Sequence, residues 1–159
     1  MKKDTYFLPY AGGGWPELKW LEPYFLTKVG RQEAFGEQQS WGLKLYGVDG
    51  TENLERYKDR IDVNLTIQGD LRHGILLFYN KSGGRQWVAR YSLGDPTKWR
   101  QWVETPQGDQ MSAALFISFE AAWEAVKEFI ERDGALPAGI EWIADADLPD
   151  YAFRPDLAS

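Results

Sequence analysis

Residues 61–67 alternate apolar Ile61, Val63, Leu65 and Ile67 with polar Asp62, Asn64 and Thr66. A period of two predicts a strand with one buried face. Residues 41–47 repeat the pattern, with Trp41, Leu43 and Leu45 on one side. Residues 74–80 form a continuous apolar run, which suits a central strand covered on both faces. Lys81-Ser82-Gly83-Gly84 predicts a hairpin loop, and residues 86–91 return from it. Gly94-Asp95-Pro96 reads as a turn, followed by a strand over 99–104 that Pro106-Gln107-Gly108-Asp109 ends. Earlier in the chain, residues 5–8 suit a short strand and Gly12-Gly13-Gly14 a flexible turn. Pro16 fits the first turn of a helix that Pro23 cuts short, a second helix starts near Tyr24, and residues 30–40 read as loop.

The period changes after a further strand at 113–117. Ser118 is a good N-cap, and Phe119, Ala122, Trp123, Val126, Phe129 and Ile130 then fall on one helical face. Glu120, Glu124, Lys127, Glu128 and Glu131 occupy the other. Gly134 and Pro137 stop the helix, residues 139–143 form a last strand, and an acidic tail follows. The pattern predicts an α+β fold: a mostly antiparallel sheet, a long C-terminal helix packed on one face, and short N-terminal helices. At 159 residues the chain suits one domain. That domain comprises an N-terminal part (1–60), a core of sheet plus helix (61–143) and the tail (144–159).

Composition removes several chemistries. With no cysteine there is no thiol nucleophile or thiolate metal site, and with His73 alone there is no multi-histidine centre. Neither a secretory apolar run nor a window of ~20 apolar residues is present, so the expectation is a soluble, cytoplasmic protein. The net charge of −6 argues against a partner that is chiefly nucleic-acid backbone. It is also unevenly spread: residues 120–159 hold ten carboxylates against three cations. Two readings are open, a solvated helix face with a loose tail, or an electrostatic lure for a basic protein.

Site chemistry is sparse. His73 sits in a turn beside a strand, and no carboxylate pair stands out as an acid–base couple. Gly12-Gly13-Gly14 and Gly83-Gly84 lack the spacing and terminal Lys-Ser/Thr of a phosphate loop. Asp145, Asp147 and Asp150 offer hard oxygens, but the glycine and distal glutamate of a calcium loop are missing. No catalytic residue, cofactor or metal is therefore expected. Trp123 and Trp142 read as core, Trp15 as the ring most exposed at the surface, and Trp87, Trp99 and Trp102 as rings that could line a sheet face.

Residues 115–137, with the helical run from Phe119 to Glu131, Gly134 and Pro137, close on Ile140-Glu141-Trp142. This stretch resembles immunity protein family 1 of bacterial polymorphic toxin systems, in which a sheet leads to a helix, a short turn with a proline, and a strand bearing a tryptophan. The hairpin over 75–91 is similar to that family's central sheet, and the resemblance covers roughly residues 60–143. It implies a non-catalytic cytoplasmic protein that binds a cognate toxin domain, among them nucleic-acid deaminases and nucleases, and blocks it. On that reading the protein contacts neither nucleic acid nor membrane directly. Its partner-binding candidates are Tyr10, Trp15, Asp145, Asp147, Asp150, Tyr151 and Phe153. The alternatives are a small carbohydrate-binding module or carboxylate-dependent enzyme using surface tryptophans, and an adaptor bound through the acidic helix.

Overall fold

The computed structural model describes residues 1–6, 14–37, 40–105 and 108–154. The main sheet contains β1 (Lys2–Tyr6), β2 (Ser40–Val48), β3 (Ile61–Asp70), β4 (Gly74–Gly83) and β5 (Gln86–Ser92). Later in the chain come β6 (Trp102–Glu104), β7 (Gln110–Ser112), β8 (Phe116–Ile117), β9 (Trp142–Ala144) and β10 (Phe153–Arg154). The large sheet runs β1-β2-β3-β4-β5-β9, with β8 also on β4, and every pairing is antiparallel. A second sheet, β10-β7-β6, is antiparallel too. With helices α1 (Leu18–Leu26), α2 (Lys28–Phe35) and α3 (Phe119–Glu131), the fold is α+β.

The alternation over 61–67 has its expected consequence. Leu43, Leu45, Val63, Leu65, Ile67, Ile75, Leu77 and Tyr79 share one face, and the three helices cover it. Phe25, Phe35, Trp41, Phe119, Trp123 and Phe129 fill the space between helices and sheet. Ring centroids there lie 5.5 Å apart for Phe25 and Trp123 and 5.8 Å for Phe35 and Phe119. On the reverse face of β4, Leu76 and Phe78 meet a smaller core with Val103, Met111, Leu115 and Phe116, under the second sheet. The continuous apolar run over 74–80 thus reflects two cores, one on each side.

Helix α3 begins where expected, since the Ser118 hydroxyl accepts from the Ala121 N–H at 3.1 Å. Gly134 ends it at φ 86°, and its N–H closes on the Phe129 carbonyl at 2.9 Å. The Tyr79 hydroxyl donates to the Gly134 carbonyl at 2.9 Å, tying the end of α3 to β4. Burial first, then the charge of Asp49, pushes the Tyr79 phenol from near 10 up to about 12. A raised pKa means that the native state favours the neutral phenol. Its contribution is complete below pH 10 and is lost as the pH rises towards 12. In urea unfolding, the stability advantage of the native protein over Tyr79→Phe should therefore shrink across that window and stay constant between pH 7 and 9.

Several boundaries differ from those the pattern predicts. Pro23 lies inside α1 rather than ending it, because buried Leu21 and Phe25 hold the segment helical across it. Residues 28–35 form α2, not loop. Thr27 caps it by accepting from the Gly30 N–H at 2.9 Å, and Ala34 and Phe35 anchor it in the core. Gly30 is required there, since a Cβ would lie 2.0 Å from the Pro23 carbonyl oxygen. The β4–β5 connection is a two-residue turn, with Gly84 and Arg85 both at positive φ, so the strands run further than the predicted loop allows. Residues 96–98 form a 3-10 turn capped by Asp95, which shortens the 99–104 strand to β6. Likewise Ser112 caps a 3-10 turn over 113–115 and leaves only β8 of the 113–117 strand. The last strand starts at Trp142 rather than 139, after the Trp142 indole donates to the Pro137 carbonyl at 2.7 Å. Among the described residues, no helix is long and apolar enough to cross a membrane.

Candidate partner-binding face

The acidic segment is not a loose tail as far as Arg154. β9 pairs with β5, placing Ile143 opposite Tyr91, and Asp145–Asp147 form a 3-10 turn. Leu148 then packs into the smaller core, Ala152 is buried, and its carbonyl accepts from the Ser112 N–H at 2.7 Å. β10 places Phe153 opposite Met111. The Trp102 indole donates to the Tyr151 carbonyl at 3.2 Å. Guanidinium groups stack nearby: Arg100 lies 4.2 Å from the Tyr151 ring and Arg154 4.4 Å from the Trp102 ring.

An aromatic row leads outward from this second core. Phe78 stacks on Tyr91 at 4.5 Å, and Tyr91 meets Phe153 at 5.2 Å. Phe153 ends the row and remains 39% exposed. Burial, then the charge of Asp145, raises the Tyr91 phenol above its ordinary range. Asp145, Asp147 and Asp150 are exposed, and none forms an ion pair with a described residue. Five of the seven candidate residues therefore lie on one ordered segment: the three aspartates, Tyr151 and Phe153.

The carboxylates of α3 behave differently. Glu120 meets Arg31 at 2.8 Å, and Glu124 meets Lys127 at 3.1 Å. Glu128 accepts from the Ala138 N–H and approaches Arg132. The Glu120 carboxyl is lowered by its own backbone N–H at the helix start and then by Arg31. Much of this face is thus compensated within the molecule, whereas the aspartates at 145–150 form no ion pair with a described residue.

Two sequence expectations change. Trp15 is not a presented ring: its indole N–H bonds the Asp4 and Lys44 carbonyls at 3.2 and 3.1 Å, and the ring meets Phe129 at 5.3 Å. The β1–β2 pairing supplies those carbonyls, so the ring is drawn inward. Trp87, Trp99 and Trp102 line no common face. Trp87 is exposed near the β4–β5 turn, Trp99 packs against the smaller core, and Trp102 lies under Arg154. Tyr10 lies outside the described residues. Sequence reasoning missed Trp20, Leu26 and Val29, all exposed on α1 and α2. Trp20 stands beside Leu21, off the face that Leu21 and Phe25 bury, and the helical period carries that signal.

A cleft of about 320 Å³ lies between the β3–β4 turn and β6, lined by Asp70, Arg72, His73, Trp102 and Glu104 among others. Asp70 Oδ1 accepts from the Arg72 and His73 N–H groups and lies 2.8 Å from His73 Nδ1. That arrangement closes the turn and orients the imidazole. Among the described residues, no three of His, Asp and Glu gather as metal ligands. No family model, curated protein or solved structure matches the chain.

Proposed function

We propose that this chain is a cytoplasmic immunity protein that binds a cognate bacterial toxin and occludes its active or nucleic-acid-binding face. The observation that supports the reading is the ordered C-terminal segment, which holds three exposed aspartates with no ion pair to a described residue together with Phe153, the exposed end of the Phe78–Tyr91–Phe153 row. A toxin that holds nucleic acid needs a basic face. Aspartates held in place by β9 and β10 present carboxylates where such a toxin expects phosphates, at little ordering cost. Phe153 then serves as an apolar anchor within the charged surface. The resemblance over residues 60–143 supports the same reading through α3, Pro137 and Trp142. An interface of standard size takes about 800 Å² from each partner, which extends beyond the aspartates onto Tyr151 and its surroundings.

Co-expression with the neighbouring gene product, followed by affinity purification and a growth assay, tests the proposal. A stoichiometric complex and rescue of growth are expected. Free toxin activity in the presence of excess folded protein overturns it.

A further inference from the structure

The face of the large sheet opposite the helices is covered only over its apolar part. Beyond it, two cross-strand rows remain open, half-buried except at the exposed Trp87. One places Lys44, Asn64 and Asn80 opposite one another on β2, β3 and β4. The next places Tyr46, Asp62, Ser82 and Trp87 in line. Neighbouring strands are about 4.8 Å apart, so the two rows extend about 10 and 14 Å across the sheet. A groove of about 190 Å³ lies over these rows, and a second of about 440 Å³ adjoins it through Tyr46 and Arg56.

Four observations there bear on a ligand. Asn64 Nδ2 donates to Thr66 Oγ1 at 3.0 Å, but its Oδ1 is shielded from water and accepts from no described residue. That oxygen lies against Gly42 of β2, so a ligand N–H reaches it only once the amide turns. Tyr57 is held at φ 66°, a conformation that costs an aromatic residue energy, and the residue is 83% exposed, with the Arg56 guanidinium 4.4 Å from its ring centroid and the other side of the ring left for a base. The loop that holds it is fixed: the N–H groups of Asp59 and Arg60 bond the Glu55 carbonyl, and the Lys58 carbonyl accepts from Gly84. Lys2, Lys44 and Arg56 have no carboxylate partner among the described residues, in a chain of net charge −6. Asp62 is taken by Arg60 at 2.9 Å, which leaves Asp4 and Glu52 as the other carboxylates near this face.

We propose that this open face is a nucleotide site, distinct from the partner-binding face. The base stacks on Tyr57, its polar edge meets the Asn64 and Asn80 amides, and the phosphate is held by Lys44 and Arg56. Aromatic platforms beside a cationic groove bind bases without reading sequence, and the same chemistry serves a free nucleotide or one unit of a single strand. The inference does not rest on the toxin reading, and its test needs no toxin.

The experiment is a titration of the full chain, followed by backbone and side-chain amide NMR. The probes are 5′-UMP, 5′-AMP and hexathymidylate, with uridine and inorganic phosphate as controls. Saturable shifts at the Asn64 and Asn80 amides are expected, with both controls at least tenfold weaker. Tighter binding of hexathymidylate assigns a strand as the source, and equal binding a free nucleotide. Lys44→Ala should weaken binding at least tenfold. Tyr57→Gly should do the same while keeping or raising the melting temperature, because glycine relieves the positive φ. Absence of saturable shifts, or phosphate binding as tightly as the nucleotides, overturns the proposal.

Discussion

Replacing Asp145, Asp147 and Asp150 together by lysine should slow association with a basic toxin domain by about 10–1,000-fold at low salt. The dissociation rate should change far less, because exposed charges steer encounter more than they hold the complex. Stability should move by no more than about 0.5 kcal/mol, since none of the three forms an ion pair with a described residue. Phe153→Ala should act on the other rate. It removes the exposed end of the Tyr91 contact and, as a central anchor, should cost about 2 kcal/mol, roughly 30-fold, mainly in dissociation. Stopped-flow measurements between 20 and 500 mM salt separate the two effects. An association rate indifferent to both the reversal and the salt removes the electrostatic argument. A dissociation rate unchanged by Phe153→Ala removes the anchor.

How much of this face was legible depends on the range of the interactions that build it. The strand over 61–67 and helix α3 follow from local periods of 2 and 3.6, and both faces of each were readable from single residues such as Leu65 and Phe129. The aspartates and aromatic rings of residues 145–153 were visible as residue types. Their arrangement was not, because β10 is two residues long and is held by β7, some forty residues earlier. The same cause hid the fate of Trp15: three preceding glycines suggest exposure, whereas the Asp4 and Lys44 carbonyls exist as a pair only after β1 joins β2. α2 was misread for a different reason. Its sequence, Lys-Val-Gly-Arg-Gln-Glu-Ala-Phe, has weak helical character, and the helix depends on the Thr27 cap and on burial of Phe35 against Trp41.

The two sides of the large sheet also divide the energetics. The open rows contain polar residues that stabilise little, while the helix-covered side concentrates the apolar burial. Disturbing the first should alter ligands; disturbing the second should alter folding. Gly69 marks the boundary, since a Cβ there would sit 2.2 Å from the Phe35 ring, so even a methyl group cannot be added without displacing α2.

Phe129→Ala should have the largest effect on stability. The ring is fully buried and contacts Trp15 at 5.3 Å and Tyr79 at 6.2 Å, so its loss leaves a cavity at the meeting point of β1, β4 and α3. A Phe→Ala change of this kind costs about 3–5 kcal/mol, against a total of about 5–15 kcal/mol for a natural domain. At about 2–4 °C per kcal/mol for a chain of this size, the melting temperature should fall by roughly 6–20 °C. The proposed partner-binding segment packs through Leu148 against the smaller core on the other side of the sheet, away from Phe129. A tight partner should therefore restore stability by mass action, by about 4 kcal/mol at a thousand times its dissociation constant. Differential scanning calorimetry of the variant, alone and with toxin domain, reads both changes. The aspartate reversal supplies the contrast: it should keep the native melting temperature but gain little from the same toxin concentration. If toxin stabilises the reversed protein as much as Phe129→Ala, the partner is bound elsewhere, and Trp20, Leu26 and Val29 on α1 and α2 become the next surface to substitute.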